Sequence, residues 1–157
     1  MTHRLLSLSI LLALALAACG PAYVYERSYP IPDANWTYAQ PLEFSFQIDD
    51  TLRIHNLWLE IEHTTDYDFQ NLYTRVTTHF PSGKELQEPL SLELADQVGR
   101  WNGDCSGSFC TLRILLQKAF FSEPGSYRIT LEQFMREDPV KGIRSIGFML
   151  EKTEESR

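Results

Sequence analysis

Apolar residues recur at every second position over much of this 157-residue chain. From Leu42 to Ile48 the set is Leu42, Phe44, Phe46 and Ile48, separated by Glu43, Ser45 and Gln47. A period of two sends alternate side chains to opposite faces of an extended backbone, so the segment is predicted as a half-buried strand. Asp49-Asp50-Thr51 follows as a turn. Residues 52–63 form a second run, with Leu57, Leu59 and Ile61 on one face and Trp58, Glu60 and Glu62 on the other. Residues 71–80 form a third, which stops at the turn sequence Pro81-Ser82-Gly83. The alternation returns at Leu90, Leu92 and Leu94, at Leu112, Ile114 and Leu116, at Tyr127, Ile129 and Leu131, and at Ile146, Phe148 and Leu150. Seven or eight short antiparallel strands divided by turns predict an all-β domain, a β-sandwich of jelly-roll type. Residues 132–138 have room for one helical turn.

Pairing the second and third runs as a hairpin, with 57 opposite 78, sets Glu60 against Arg75 and Glu62 against Tyr73. One face is then apolar or β-branched. The other carries Trp58, Glu60, Glu62, Tyr73 and Arg75, a mixture of aromatic and charged side chains that partner surfaces use. The same aromatics are also compatible with a sugar-stacking platform, or with cover by a second layer.

The first residues follow another rule. His3 and Arg4 precede an apolar run from Leu5 to Ala18, and Cys19 stands directly after Leu16-Ala17-Ala18. A charged start, an apolar stretch and small residues before a cut site make a secretory signal peptide. A cysteine at the cut site makes it a lipoprotein signal, so residues 1–18 are expected to be removed and Cys19 to carry acyl chains. The run of 14 apolar-region residues is shorter than the roughly 20 that a membrane-spanning helix requires. Residues 19–35, with Pro21, Pro30 and Pro32, are expected to be a lipidated tether of up to about 50 Å. Residues 36–152 are expected to be the sandwich and 153–157 a disordered tail. Gly20 stands where an aspartate would mark retention at the inner membrane, which favours the outer membrane with the domain facing the periplasm.

Charge and cysteines narrow the picture. Loss of residues 1–18 removes Arg4 and moves the net charge from −7 to −8. So acidic a domain does not attract nucleic acid and is repelled by anionic headgroups, which predicts that it stands away from the bilayer. Cys105 and Cys110 remain as a pair in an oxidising compartment, and a disulfide across their small loop is expected.

Little in the chain points to a reaction. Glu60 and Glu62 project from the same face of one strand, but the cross-strand arginine offers a simpler account than acid–base catalysis. His55 and His79 approach each other only if the proposed hairpin forms, and two ligands without a third make a poor zinc site. No catalytic residue, metal, cofactor or small-molecule ligand is expected.

Several segments, taken in order, resemble the gliding motility lipoprotein H family. These are Tyr67, Phe69, Asn71 and Leu72 within Asp66-Tyr67-Asp68-Phe69-Gln70-Asn71-Leu72-Tyr73, then Phe80-Pro81-Ser82-Gly83, then Trp101 and Gly103 within Asp96-Gln97-Val98-Gly99-Arg100-Trp101-Asn102-Gly103. Phe121 to Tyr127, Met135 and Arg136 within Leu131-Glu132-Gln133-Phe134-Met135-Arg136, and Gly142-Ile143 with Ile146-Gly147-Phe148 complete the match. The resemblance implies a small, non-enzymatic envelope lipoprotein that serves a motility apparatus and the associated secretion of surface proteins, with other envelope proteins as partners. The alternative reading is a carbohydrate-binding β-sandwich lipoprotein.

Overall fold

A computed structural model describes residues 23–157; the signal sequence and Cys19 lie outside the described residues. Eleven strands form among the described residues. They are β1 (Tyr23–Pro30), β2 (Asn35–Trp36), β3 (Leu42–Ile48), β4 (Arg53–Thr64), β5 (Asn71–His79), β6 (Glu85–Glu93), β7 (Asp104–Ser106), β8 (Phe109–Phe120), β9 (Gly125–Gln133), β10 (Val140–Lys141) and β11 (Ile143–Ser156). A 3-10 turn spans Pro32–Ala34. Sheet I runs β1-β11-β4-β8-β7, sheet II runs β3-β9-β5-β6, and β2 pairs with β10. All of these pairings are antiparallel. Counted along the chain, the eight long strands lie first, eighth, third, sixth in sheet I and second, seventh, fourth, fifth in sheet II. That nesting is the jelly roll.

The period-two residues form the core. Phe44, Phe46, Leu59, Ile61, Tyr127, Leu131, Ile146, Phe148 and Leu150 are all buried. Phe46 stacks on Tyr127 and on Phe148 with centroids 5.9 Å apart, and Phe121 meets Tyr127 edge-on at 4.8 Å. Such ring pairs add about 0.5–1.5 kcal/mol each beyond the burial of their area.

Four expectations are corrected. First, β4 and β5 do not pair: β4 lies between β11 and β8 in sheet I, and β5 lies between β6 and β9 in sheet II. Residues 65–70 arch from one layer to the other. Buried Tyr67 plugs the arch, packing on His63 and Phe69 at 5.9 and 5.7 Å and donating its hydroxyl to the Asn71 carbonyl at 3.0 Å. Leu57, Leu59, Val76 and Thr78 do face one another, but across the gap between layers, where they line a cavity of about 140 Å³. Second, residues 23–30 are an edge strand of sheet I and not a tether. Third, the charged C-terminal residues are paired, since β11 extends to Ser156. The Arg157 amide donates to the Leu52 carbonyl at 2.9 Å, Thr153 Oγ1 donates to the Ile54 carbonyl at 2.8 Å, and Lys118 and Glu155 form an ion pair. Fourth, the segment after β9 is a non-helical loop. Its organiser is buried Gln133, whose Oε1 accepts from the Met135 amide at 2.9 Å and whose Nε2 donates to the Glu137 carbonyl at 3.3 Å.

Candidate functional site

The segments 66–73, 96–103 and 131–137, far apart in sequence, meet at one end of the sandwich. The Leu94 and Ala95 amides both donate to the Gln70 carbonyl, at 2.8 and 2.9 Å. Trp101 Nε1 donates to the Thr65 carbonyl at 3.2 Å, and its ring sits edge-on to buried His63 at 4.6 Å. The Tyr73 amide points at Met135 Sδ, 3.2 Å away. Asp96 closes its loop by accepting from the Val98 and Arg100 amides at 3.0 and 2.9 Å and from Arg100 Nε at 2.9 Å. The backbone donors hold its carboxyl below the usual aspartate range. Burial, with the negative charges of Asp68 and Glu137 nearby, raises the Tyr67 hydroxyl pKa, so it stays a neutral donor.

Gly103 has a backbone role. Its φ is +82°, and a Cβ there would collide with the Thr111 carbonyl oxygen and the Leu112 Cα. Only glycine lets this segment run so close to β8. Cys105 and Cys110 sit opposite each other in the β7–β8 hairpin, with Cα atoms 3.9 Å apart, and form the expected disulfide.

The sequence-selected residues divide into two groups. Tyr67, Leu72 and Met135 are buried, and Trp101 is partly buried against the core. Phe69, Asn71 and Arg136 instead line a cleft of about 500 Å³ on the outer side of sheet II, together with Tyr73, Pro89, Phe134 and Glu137, and buried Met135 forms part of its floor. Tyr73 and Phe134 are 48% and 49% exposed. The Arg75 guanidinium lies 4.2 Å over the Phe134 ring and stiffens that wall. Arg136 enters no ion pair among the described residues. The cleft therefore offers two exposed rings, a free cation, a carboxylate and an amide within one concavity, a composition suited to recognition.

The expected surface of Trp58, Glu60, Glu62, Tyr73 and Arg75 does not exist as one patch. Its first three members lie on the outer face of sheet I and the last two on sheet II. Glu60 binds Arg113, not Arg75, with Nη2 2.7 Å and Nε 3.1 Å from Glu60 Oε2. Glu62 pairs with Arg144 at 3.0 Å. Trp58 Nε1 donates to Glu151 Oε2 at 2.8 Å, and Asn56 donates to the same oxygen at 3.0 Å, which together lower the Glu151 pKa. These groups are satisfied by neighbours on a sheet face. His55 packs edge-on to Phe121 in the interior, whereas His79 is at the far end of β5 with Glu85 at 2.8 Å, so the two do not form a pair.

Phe134, Pro89 and Glu137 were not singled out in the sequence. Phe134 was detectable: after Tyr127, Ile129 and Leu131 the inward phase falls on Gln133, so an aromatic at 134 lies on the solvent phase. Pro89 and Glu137 become neighbours of this residue only through the fold.

A family model described as GldH lipoprotein matches residues 23–150. The chain is 24% identical over 146 residues to a protein described as gliding motility lipoprotein GldH homolog from Christiangramia forsetii, covering 88% of this chain and 89% of that one. It is 23% identical over 156 residues to gliding motility lipoprotein GldH from Flavobacterium johnsoniae, covering 92% and 94%. Among solved structures, a carbohydrate-binding module from a family 9 glycoside hydrolase of Ruminococcus flavefaciens is 12% identical, with a TM-score of 0.41 over 80% of this chain and 97% of that one.

Proposed function

Since the chain belongs to the GldH lipoprotein family, we propose that it is a non-catalytic accessory component of a gliding-motility apparatus and its associated protein secretion. In this reading Cys19 carries the lipid that holds it at the outer membrane, facing the periplasm. It works by docking an envelope partner in the cleft of sheet II. The observation that carries this reading is convergence: Phe69, Asn71, Met135 and Arg136, picked from separate segments by their match to the family pattern, line one concavity with Tyr73 and Phe134. Side chains such as Tyr67 and Trp101 fix the arch and loop behind it, so the cleft is held by core packing rather than by loops alone.

The test is complementation of a gene deletion in the native host with a Phe134→Ser/Arg136→Glu variant, reading colony spreading and surface-protein export. The expected result is loss of both with unchanged protein level and unchanged Cys19 acylation. Wild-type export and spreading from that variant would refute docking at this cleft. The carbohydrate-binding alternative moves from Trp58 to the same cleft, because Tyr73 and Phe134 present the free ring surfaces there. A glycan array decides it: saturable binding abolished by Tyr73→Ser favours the sugar reading.

A further inference from the structure

The absence of a long tether has a mechanical consequence. The strand β1 begins at Tyr23, so only residues 20–22 lie between the expected lipidated cysteine and sheet I. The four residue steps from Cys19 to Tyr23 reach at most about 14 Å when fully extended. Tyr23 pairs with Glu151, and β11 continues past that point to Ser156, which pairs with Arg53. Because β11 bulges between Lys152 and Ser156, the advance is read on β4, where four residue steps from Asn56, opposite Glu151, to Leu52 carry the end of the sandwich about 13 Å beyond Tyr23. The leash is thus about as long as the projection, and acyl chains on Cys19 bring this end of the sandwich to the bilayer surface.

The end that projects is built differently from the rest of this acidic domain. Leu52 and Phe120 are 66% and 52% exposed, and the Arg157 amide bonds to Leu52 while its guanidinium lies 4.8 Å over the Phe120 ring. Around them stand Arg53, Lys118 and Lys152, bridged to Asp50 and Glu155. Exposed apolar side chains ringed by amphipathic cations suit the interface between headgroups and acyl chains. The cleft of sheet II lies at the other end, beside the residue 65–70 arch.

We propose that this tip, with Leu52 and Phe120 at its centre, seats in the headgroup layer of the bilayer that holds the anchor. The sandwich stands upright on the membrane, its recognition cleft directed away. This inference rests on acylation of Cys19. It also revises the expectation, based on net charge, that the domain stands away from the lipid. Net charge is an average; the local composition of the tip decides the contact.

The experiment uses lipidated protein in vesicles of phosphatidylethanolamine and phosphatidylglycerol. Mass spectrometry of Cys19 comes first. Single cysteines at positions 52, 120, 98, 115 and 134 carry nitroxide labels, and their accessibility to oxygen and to a water-soluble nickel chelate is compared. Labels at 52 and 120 should favour oxygen, as membrane-immersed sites do, while 98, 115 and 134 should favour the chelate. An unmodified Cys19 would remove the anchor and this inference together. Acylated protein with aqueous labels at 52 and 120 would overturn the inference alone. Immersion of 115 would overturn it in favour of a body lying on the outer face of sheet I.

Discussion

Two histidines inside a sandwich make its stability depend on pH in a calculable way. His55 and His63 are 3% and 0% exposed, and His55 Nδ1 and His63 Nε2 have no hydrogen-bond partner among the described residues. His63 Nδ1 lies 3.0 Å from the Thr64 carbonyl, which fits a neutral ring donating there and leaves Nε2 as a bare acceptor. Burial lowers both pKa values below the ordinary 6.5. In the unfolded chain the rings protonate normally. Below pH 6.5 the unfolded state therefore binds more protons, and stability, complete above that pH, falls as the solution is acidified. One pH unit below 6.5 costs at most RT ln 11, about 1.4 kcal/mol per ring, the limit reached by a ring that stays neutral in the folded state. The depressed carboxyls of Asp50, Asp96 and Glu151 titrate lower and do not contribute in this window. The assay is urea unfolding of the mature domain at about pH 7.5, 6.5 and 5.5, followed by circular dichroism in a His79→Gln background. The His55→Phe and His63→Phe variants should each lose part of the pH dependence whatever they do to baseline stability, and the double variant most of it. A midpoint unchanged between pH 6.5 and 5.5 in that background, with both buried histidines present, would refute this account.

Two further outcomes separate the observed architecture from its alternatives. Gly103→Ala meets both a positive φ and backbone atoms of β8 and should cost about 2–4 kcal/mol in thermal or urea unfolding. Gly107→Ala has positive φ but open space and should cost about 1 kcal/mol; equal effects would show that the approach to β8 is not tight. A double-mutant cycle on Glu60 and Arg113, half-exposed partners on one face, should give a coupling below about 1 kcal/mol, and the cycle on Glu60 and Arg75 should give none, because those residues lie in different sheets.

The sequence by itself determined the strands and their inward faces. Alternation at 42–48, 57–61 and 127–131 is a local property of each segment, and burial follows it residue by residue; at 146–150 the alternate residues are buried as expected, and Gly147 and Met149 are buried with them. It also determined the disulfide, since only residues 106–109 lie between the cysteines and a turn is enough to join them. Partner choice between strands was not local. Thr74, Val76 and Thr78 complement Leu57, Leu59 and Ile61 equally well beside them in a sheet or across the gap between sheets, because period two fixes a face and not a neighbour. Tertiary structure made that decision. Both edges of β4 are taken by β11 and β8, whose apolar rows match it over more residues, and Tyr67 turns the chain into the other layer. From that one choice follow the Glu60–Arg113 pair, the division of the expected surface and the cleft that joins Phe69 to Arg136. The residues of the site were present in the pattern, but their common wall is made of segments that meet only once the layers have closed.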